Sequence, residues 1–387
     1  MAGYLAIDCG TTNVKAMLVT NDGMWAMASA PTPWEFRNNL RVLDPKRLID
    51  ATYEAIAKTL GTLNAPIDKV VAIGVTSMGE VGLYVHRGEP QGYIGAWQDR
   101  KASLAAYESL LSMWDRQQLF ERSGIAPNPK FGIFRMKMAG KQTGHWLSVA
   151  DFVVWHLTGG ARVTHASLAA RTMAYDWKNR AWEPNLLDWA QVDVGQMPTI
   201  LTDPRSAGVV VSDDRRLAGA EVIHAGHDHI TAAFGAGLQS GELMDSTGTA
   251  EPLVIRANEP TLTPEACRLG MMWGQSLFDD RSYHALVPTP GGGAPEEWAR
   301  ELLALDWSDL AGLSAKRSTS VHFDAEKWLA GASSWEGLGY ATSRLDMYWS
   351  VLDGVASSMV SRVDDLERLM NCRFDAVKVV GGVAKHT

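Results

Sequence analysis

The chain has 387 residues, 46% apolar and 21% charged, which is enough for two or more domains with substantial cores. No run approaches the ~18 consecutive apolar residues of a membrane helix, and a net charge of −8 argues against a nucleic-acid surface. The widely spaced Cys9, Cys267 and Cys372 form no disulfide framework, and Asp8 interrupts the first apolar run with no basic leader before it, so a cytoplasmic protein is expected.

Residues 4–20 read as a β-hairpin, "YLAI" and "KAMLVT" around a tight turn. "PKRLIDATYEAIAKTL" has helical spacing, with Leu48, Ala51, Ile56 and Leu60 near one face. "KVVAIGVTS" is a buried strand, and "VGLYVHRGEPQGYIGAW" a hairpin with a Gly-containing turn. "DRKASLAAYESLLSMWDRQQLFERSG" reads as one helix stopped by Gly124, and "WLSVADFVVWHLTGG" as another ending in Gly-Gly. "AEVIHAGHDHITAAFGAG" gives strand, loop, helix. Hairpins first and strand–helix alternation later predict an α/β fold with mixed sheets.

Two stretches resemble one another. "LAIDCGTTNVKAMLV" and "ELMDSTGTAEPLVI" each show an apolar lead-in, an Asp, a turn of Gly, Thr and Ser, and a second apolar strand. The pair implies two domains of one kind, 1–238 and 239–387, divided near the Gly- and Ser-containing Leu238–Gly241.

The turn residues suit a nucleoside triphosphate. Phosphate oxygens need backbone N–H groups and small hydroxyls at close range, the accompanying magnesium ion needs a carboxylate, and a Lys adds compact positive charge. "DCGTTNVK" supplies Asp8 for Mg2+, Gly10, Thr11, Thr12 and Asn13 for phosphate, and Lys15 for charge. "DSTGTAE" offers Ser246, Thr247, Gly248 and Thr249 for the other side of the same phosphates. Neither stretch is a P-loop or a Rossmann turn. Asp228, at the end of a buried strand and the start of an apolar helix, is placed to take a proton from an attacking hydroxyl. The same position suits a helix cap, and His224, His227 and His229 leave open a metal-dependent hydrolase. The C-terminal strand runs into Gly381-Gly382, where the backbone can approach a flat or charged group.

In order along the chain, "AIDCGTTNVKAMLV", "WLSVADFVVWHLTG", "AGHDHITAAFGAG", "STGTAE" and "VVGGVAK" resemble the FGGY family of carbohydrate kinases, of the actin/hexokinase-like ATPase superfamily. The fuculokinase, rhamnulokinase and xylulokinase group looks most similar. The resemblance implies two ribonuclease-H-like domains with mixed sheets and a cleft between them, ATP and Mg2+ as cofactors, and transfer of the γ-phosphoryl group to a hydroxyl of a ketose or polyol. It implies Asp228 as general base, Asp8 to Lys15 and Asp245 to Thr249 as phosphate segments, and Gly381, Gly382 and Ala384 at the adenosine. It places the acceptor against Thr76, Ser77, Met78, Gly79, Glu80, Trp97, Asp99, Arg100 and His229. From the residues alone, Asp99 is as well read as the cap of a following helix, and Glu80 as an exposed turn residue.

Several features depart from the family pattern. Gly79 stands where glycerol kinases carry an Arg, which disfavours glycerol. Val383 replaces a third Gly, no "GERSP"-like piece is found, and Thr387 comes straight after the adenosine segment, so the expectation is a second domain lacking its C-terminal end. The rival to an enzyme is a non-catalytic sugar or nucleotide sensor on the same scaffold. A small-molecule partner is expected, with no nucleic acid or membrane, and a homodimer as the oligomeric state.

Overall fold

A computed structural model describes residues 2–62, 67–248, 251–277, 279–310, 320–329, 332 and 335–381. The chain folds as two compact units, Met1–Gly235 with Asn258–His284, and Ala236–Ala257 with Ala285–Thr387.

The first unit is built on a six-stranded sheet in the order Ser206–Val209, Glu221–His227, Lys69–Ser77, Ala2–Cys9, Asn13–Thr20, Trp25–Pro31. Strand Ala2–Cys9 pairs antiparallel with Asn13–Thr20 and parallel with Lys69–Ser77. Strict alternation explains the placement. Leu5, Ile7 and Cys9 of one strand and Val14, Ala16 and Leu18 of the next all point to the buried face. Helix Pro45–Thr62 covers that face, and the expected Leu48, Ala51, Ile56 and Leu60 are among its buried residues. Burying Leu48, Ile56 and Leu60 contributes roughly 1.5–3 kcal/mol each. Thr59 also donates its hydroxyl to the Ala16 carbonyl at 2.9 Å, tying helix to sheet.

Two expected elements differ in detail. The long helix from Asp99 to Gly124 is divided into Leu104–Leu111 and Arg116–Ser123. Asp115 causes the division: its carboxylate accepts from the backbone N–H groups of Gln117 and Gln118 and so begins a new helix. Gly124 ends that helix in the left-handed region, φ 70°, as expected. In "WLSVADFVVWHLTGG" the first residues belong to strand His145–Ser148. The helix is Val149–Thr158, opened by a reciprocal Ser148/Asp151 capping box and closed at Gly159.

The second unit repeats the hairpin arrangement. Strand Glu242–Thr247 pairs antiparallel with Pro252–Ala257 and parallel with Ala376–Gly381. Its two partners thus have the same senses as those of Ala2–Cys9. Helix Arg344–Met370 begins at a Ser343/Asp346 capping box and ends at Asn371, φ 50°. Under it Trp298 stacks on Trp335 at 5.4 Å, with Phe323 and Tyr348 in the same core. Among the described residues, no helix is long and apolar enough to cross a membrane.

Candidate active site

Strand Glu221–His227 passes into helix Asp228–Gly235 with no loop between them, so Asp228 is the first helical residue. The turn is held from several sides. Gly226 has φ 79°, and a Cβ there would lie 2.3 Å from Ser167 Oγ, so only glycine fits. The Gly226 carbonyl accepts from Thr76 Oγ1 at 2.8 Å, and the His227 N–H donates to Ser167 Oγ at 3.1 Å. The Gly226 N–H donates to His224 Nδ1 at 3.1 Å, while His224 Nε2 donates to Asp151 Oδ1 at 2.7 Å. His224 is wholly buried and committed to Asp151, so the three histidines do not converge as a metal site would require. Among the described residues no cluster of three or more His, Cys, Asp or Glu could hold a metal.

Asp228 Oδ1 accepts the His229 N–H at 2.7 Å and faces His227 Nε2 at 3.3 Å. Burial pushes its carboxyl up to about 7, and Glu80 pushes the same way, against the His229 N–H, Arg171 and Lys15. His229 lies beside it, with Nε2 3.9 Å from Asp228 Oδ1; burial lowers its ring to about 4, so it is neutral at physiological pH.

Glu80 anchors the other side. It holds φ 67°, a conformation that costs a non-glycine residue roughly 1 kcal/mol, and its side chain is 9% exposed. Lys130 Nζ stands 3.2 Å from Glu80 Oε1 and is itself 15% exposed. Burial alone would raise the Glu80 carboxyl, but Lys130 and then Arg171 outweigh it and hold the group below the usual carboxylate range. Arg171 is 1% exposed and donates Nη2 to the Trp273 carbonyl at 3.0 Å, while its buried Nε and Nη1 have no protein partner. Gly79 fits here because a Cβ would meet Arg171 Cγ at 2.5 Å and His227 Cδ2 at 2.7 Å. The space of a side chain at 79 is taken by the Arg171 stem.

The remaining residues expected to line the acceptor divide. Trp97 donates Nε1 to Thr11 Oγ1 at 3.1 Å, tying its own segment to the first hairpin turn. Ser77 corrects the sequence reading. Its wholly buried hydroxyl accepts from the Ala150 N–H at 3.0 Å and donates to the Met78 carbonyl at 2.8 Å, so it serves the fold. Met78 is buried beneath Thr11, its sulfur 3.8 Å from Thr11 Oγ1. Asp99 caps no helix; it accepts from the Arg41 N–H at 3.4 Å. Arg100 is exposed and flanks the short helix Lys101–Ser103.

The first hairpin turn is built as a cradle. Gly10 N–H donates to the Asn13 carbonyl at 3.1 Å and the Thr12 carbonyl accepts from the Thr32 N–H at 3.0 Å. Thr32 Oγ1 and Trp34 Nε1 fasten the Gly10 and Thr11 carbonyls at 2.8 and 2.6 Å. These bonds leave the Thr12 side chain exposed. Lys15 lies directly across the ladder from Asp8, with its ammonium 3.6 Å from Oδ2. Asp8 Oδ1 is buried with no protein partner. Burial, then the charge of Asp228, pushes the Asp8 carboxyl up to about 6. A carboxylate oxygen left in this state suits Mg2+, which binds one or two protein carboxylates and takes its other oxygens from water and phosphate.

In the second unit, Asp245 Oδ1 is likewise buried without a partner, and burial followed by Glu251 pushes that carboxyl up to about 7. Glu251 accepts from the Gly292 N–H at 2.5 Å, and Gly293 N–H donates to the Gly248 carbonyl at 2.8 Å. These bonds bring a glycine run at the start of helix Gly293–Leu302 against the hairpin. Ser246 lies in the strand, and Thr247 Oγ1 donates to the Val380 carbonyl at 2.9 Å. Gly381 has φ 111°, and a Cβ there would collide with the Thr247 carbonyl, 1.9 Å away. Thr249, Gly382 and Ala384 lie outside the described residues.

Sequence reasoning missed Lys130, Arg171, Glu251 and Gly291–Gly293. The triple glycine before an amphipathic helix was a readable signal, but a single Lys or Arg was not.

A model of the FGGY family of carbohydrate kinases, N-terminal domain, matches residues 3–235. A glycerol kinase of Gloeobacter violaceus is 24% identical over 99% of this chain and 80% of that protein. An L-fuculokinase of Escherichia coli is 24% identical over 99% and 84%. Among solved structures, Plasmodium falciparum glycerol kinase with ADP superposes with a TM-score of 0.86 at 18% identity, covering 100% of this chain and 82% of the other. Ligand-bound xylulose kinase from Lactobacillus acidophilus gives 0.84 at 19% identity, with the same coverages. These likenesses give the chain the two-domain actin/hexokinase-type fold of the sugar kinases. The repeated hairpins, the acid at the head of helix Asp228–Gly235 and the family match lead to one conclusion: this chain belongs to the FGGY family of carbohydrate kinases, enzymes that move phosphoryl from ATP to an alcohol group of a sugar or polyol.

Proposed function

We propose that the acceptor is a ketose or polyol phosphorylated on a primary hydroxyl, that Asp228 removes the hydroxyl proton, and that a magnesium ion is held at Asp8. The observation that carries the reading is the state of Asp228. A partly buried carboxyl pushed up to about 7, fixed on a rigid turn, is matched to proton abstraction near neutral pH. His227 and His229 stay uncharged beside it, so they orient the carboxylate without neutralising it. Glu80 accepts hydrogen bonds from acceptor hydroxyls, and Trp97 links that recognition to the phosphate cradle through Thr11.

Residues 1–238 supply the acceptor site, the base and the first phosphate segment, and 239–387 the second phosphate and adenosine segments. The Gly10–Asn13 turn and Lys15 hold phosphate oxygens, and the unpartnered Asp8 oxygen receives the metal. Magnesium, when bound, neutralises charge that develops on the phosphate oxygens. The free cysteines accord with action in the cytoplasm.

The test is ADP release with Mg-ATP across a panel of ketoses and polyols. Turnover with at least one acceptor, well above the acceptor-free rate, is expected. Acceptor binding by calorimetry with no ADP release in any mixture overturns the reading and leaves a sensor.

A further inference from the structure

We infer that Lys130 is a specificity-determining residue: with Glu80 it forms a two-sided clamp for a pair of neighbouring hydroxyls on the acceptor, away from the hydroxyl that reacts. The inference rests on the kinase reading above and extends it to a residue that no motif marks.

The geometry is that of a preorganised donor beside a preorganised acceptor. Lys130 Nζ sits 3.2 Å from Glu80 Oε1, both side chains nearly dry. The ammonium also lies 5.7 Å from the Trp97 ring centroid and 5.3 Å from that of Phe131, so two aromatic faces hold it in place. Both members of the pair sit among the groups around the base: Glu80 raises the Asp228 carboxyl, and Lys130 lowers the His229 ring. The pair is not an economical way to build a core. Desolvating two charges costs several kcal/mol per ion, and an apolar pair of similar volume is often as stable. Arg171 adds a second buried cation behind Glu80 and keeps that carboxylate ionised.

An ionised carboxylate only accepts hydrogen bonds, and an ammonium only donates them, with three N–H groups. One N–H is directed to Glu80, which leaves donors for a ligand oxygen. A vicinal diol satisfies both partners at once, one hydroxyl donating to Glu80 and its neighbour accepting from Lys130. An acceptor lacking either hydroxyl leaves one member of the pair short of a hydrogen bond in a nearly dry site, which is the condition under which a site rejects an analogue strongly rather than mildly. The class implied is an acceptor with adjacent free hydroxyls beyond the reacting carbon, and deoxy analogues at that pair are excluded.

The experiment uses the full chain with Mg-ATP, the best acceptor from the panel and its monodeoxy analogues, comparing parent, Lys130→Met and the double variant Lys130→Met/Glu80→Gln, which removes both buried charges together. For the parent, one deoxy analogue should lose on the order of 10²–10⁴ in kcat/KM. Lys130→Met should lose on the order of 10² on the full acceptor, mainly as a rise in KM, yet change little on that analogue, so the discrimination collapses. The double variant should show the same collapse, whether or not the single variant folds well. Uniform loss across the deoxy series with discrimination intact, or a Lys130→Met kcat/KM within about twofold of the parent, refutes the clamp. A parent that releases no ADP with any acceptor refutes the kinase reading, and the clamp with it. An active parent with an unaffected variant refutes the clamp alone.

Discussion

Replacing Asp228 by Asn should separate catalysis from stability, because the structure assigns opposite effects to the two. The side chains have the same shape, and the amide oxygen can still accept the His229 N–H that Asp228 Oδ1 takes at 2.7 Å. What is lost is the charge. Burial moves the carboxyl from its ordinary 3.8 to about 7, so the folded state binds its proton more tightly than the unfolded chain. The sign follows: relative to an uncharged side chain, the parent carries no penalty below the unfolded value, gains one as pH rises from about 4 to 7, and keeps it above that. At about 1.4 kcal/mol per pH unit the ceiling is roughly 4 kcal/mol, and relaxation around the charge brings about 2 into reach. Urea unfolding of parent and variant at about pH 4.5 and pH 8 should therefore show Asp228→Asn more stable at the higher pH, with the gap widening by about 2 kcal/mol between them. Over the same preparations, turnover should fall by about 10²–10⁴, the range that proton abstraction typically contributes. The parent's kcat/KM should also decline as pH drops through about 7. A variant less stable than the parent at pH 8 would show that the carboxylate is not penalised by its surroundings, and a fully active variant would remove it from the mechanism.

Gly226→Ala should disturb the same residue from behind. A positive φ and a Cβ 2.3 Å from Ser167 Oγ together cost on the order of 2–3 kcal/mol in urea midpoint, with a fall in kcat from misplacing Asp228 two positions on; a variant within about 0.5 kcal/mol of the parent would contradict the strained turn. Asp8→Asn should raise the magnesium concentration for half-maximal rate by on the order of tenfold, and chelation should silence the parent; an unchanged magnesium titration would place the metal elsewhere.

The two hairpins show how far local reading reaches. Each Asp, its small turn residues and the following strand lie within a few positions, so their chemistry and their geometry come from the same segment. Period-2 burial then dictates which face turns inward. The cap and stop of helix Val149–Thr158 were equally legible, because capping residues and glycine stops act over one turn, whereas the loop expected before the helix at Asp228 is absent. The division of the long helix before Gly124 is less legible: Asp115 reads as one polar residue in a helical pattern, and the same residue serves a helix interior or an N-cap depending on its backbone conformation.

Sequence by itself determined the α/β class, the repeated hairpin and an Asp at the strand–helix junction, since each is a pattern of neighbours along the chain. Tertiary structure alone decided that Ser77 supports a helix rather than an acceptor, that His224 belongs to Asp151, and that Lys130 and Arg171 surround Glu80. Those outcomes depend on which distant side chains share a dry, low-dielectric space. Desolvation and charge pairing act through that space and leave no periodic trace in the order of residues.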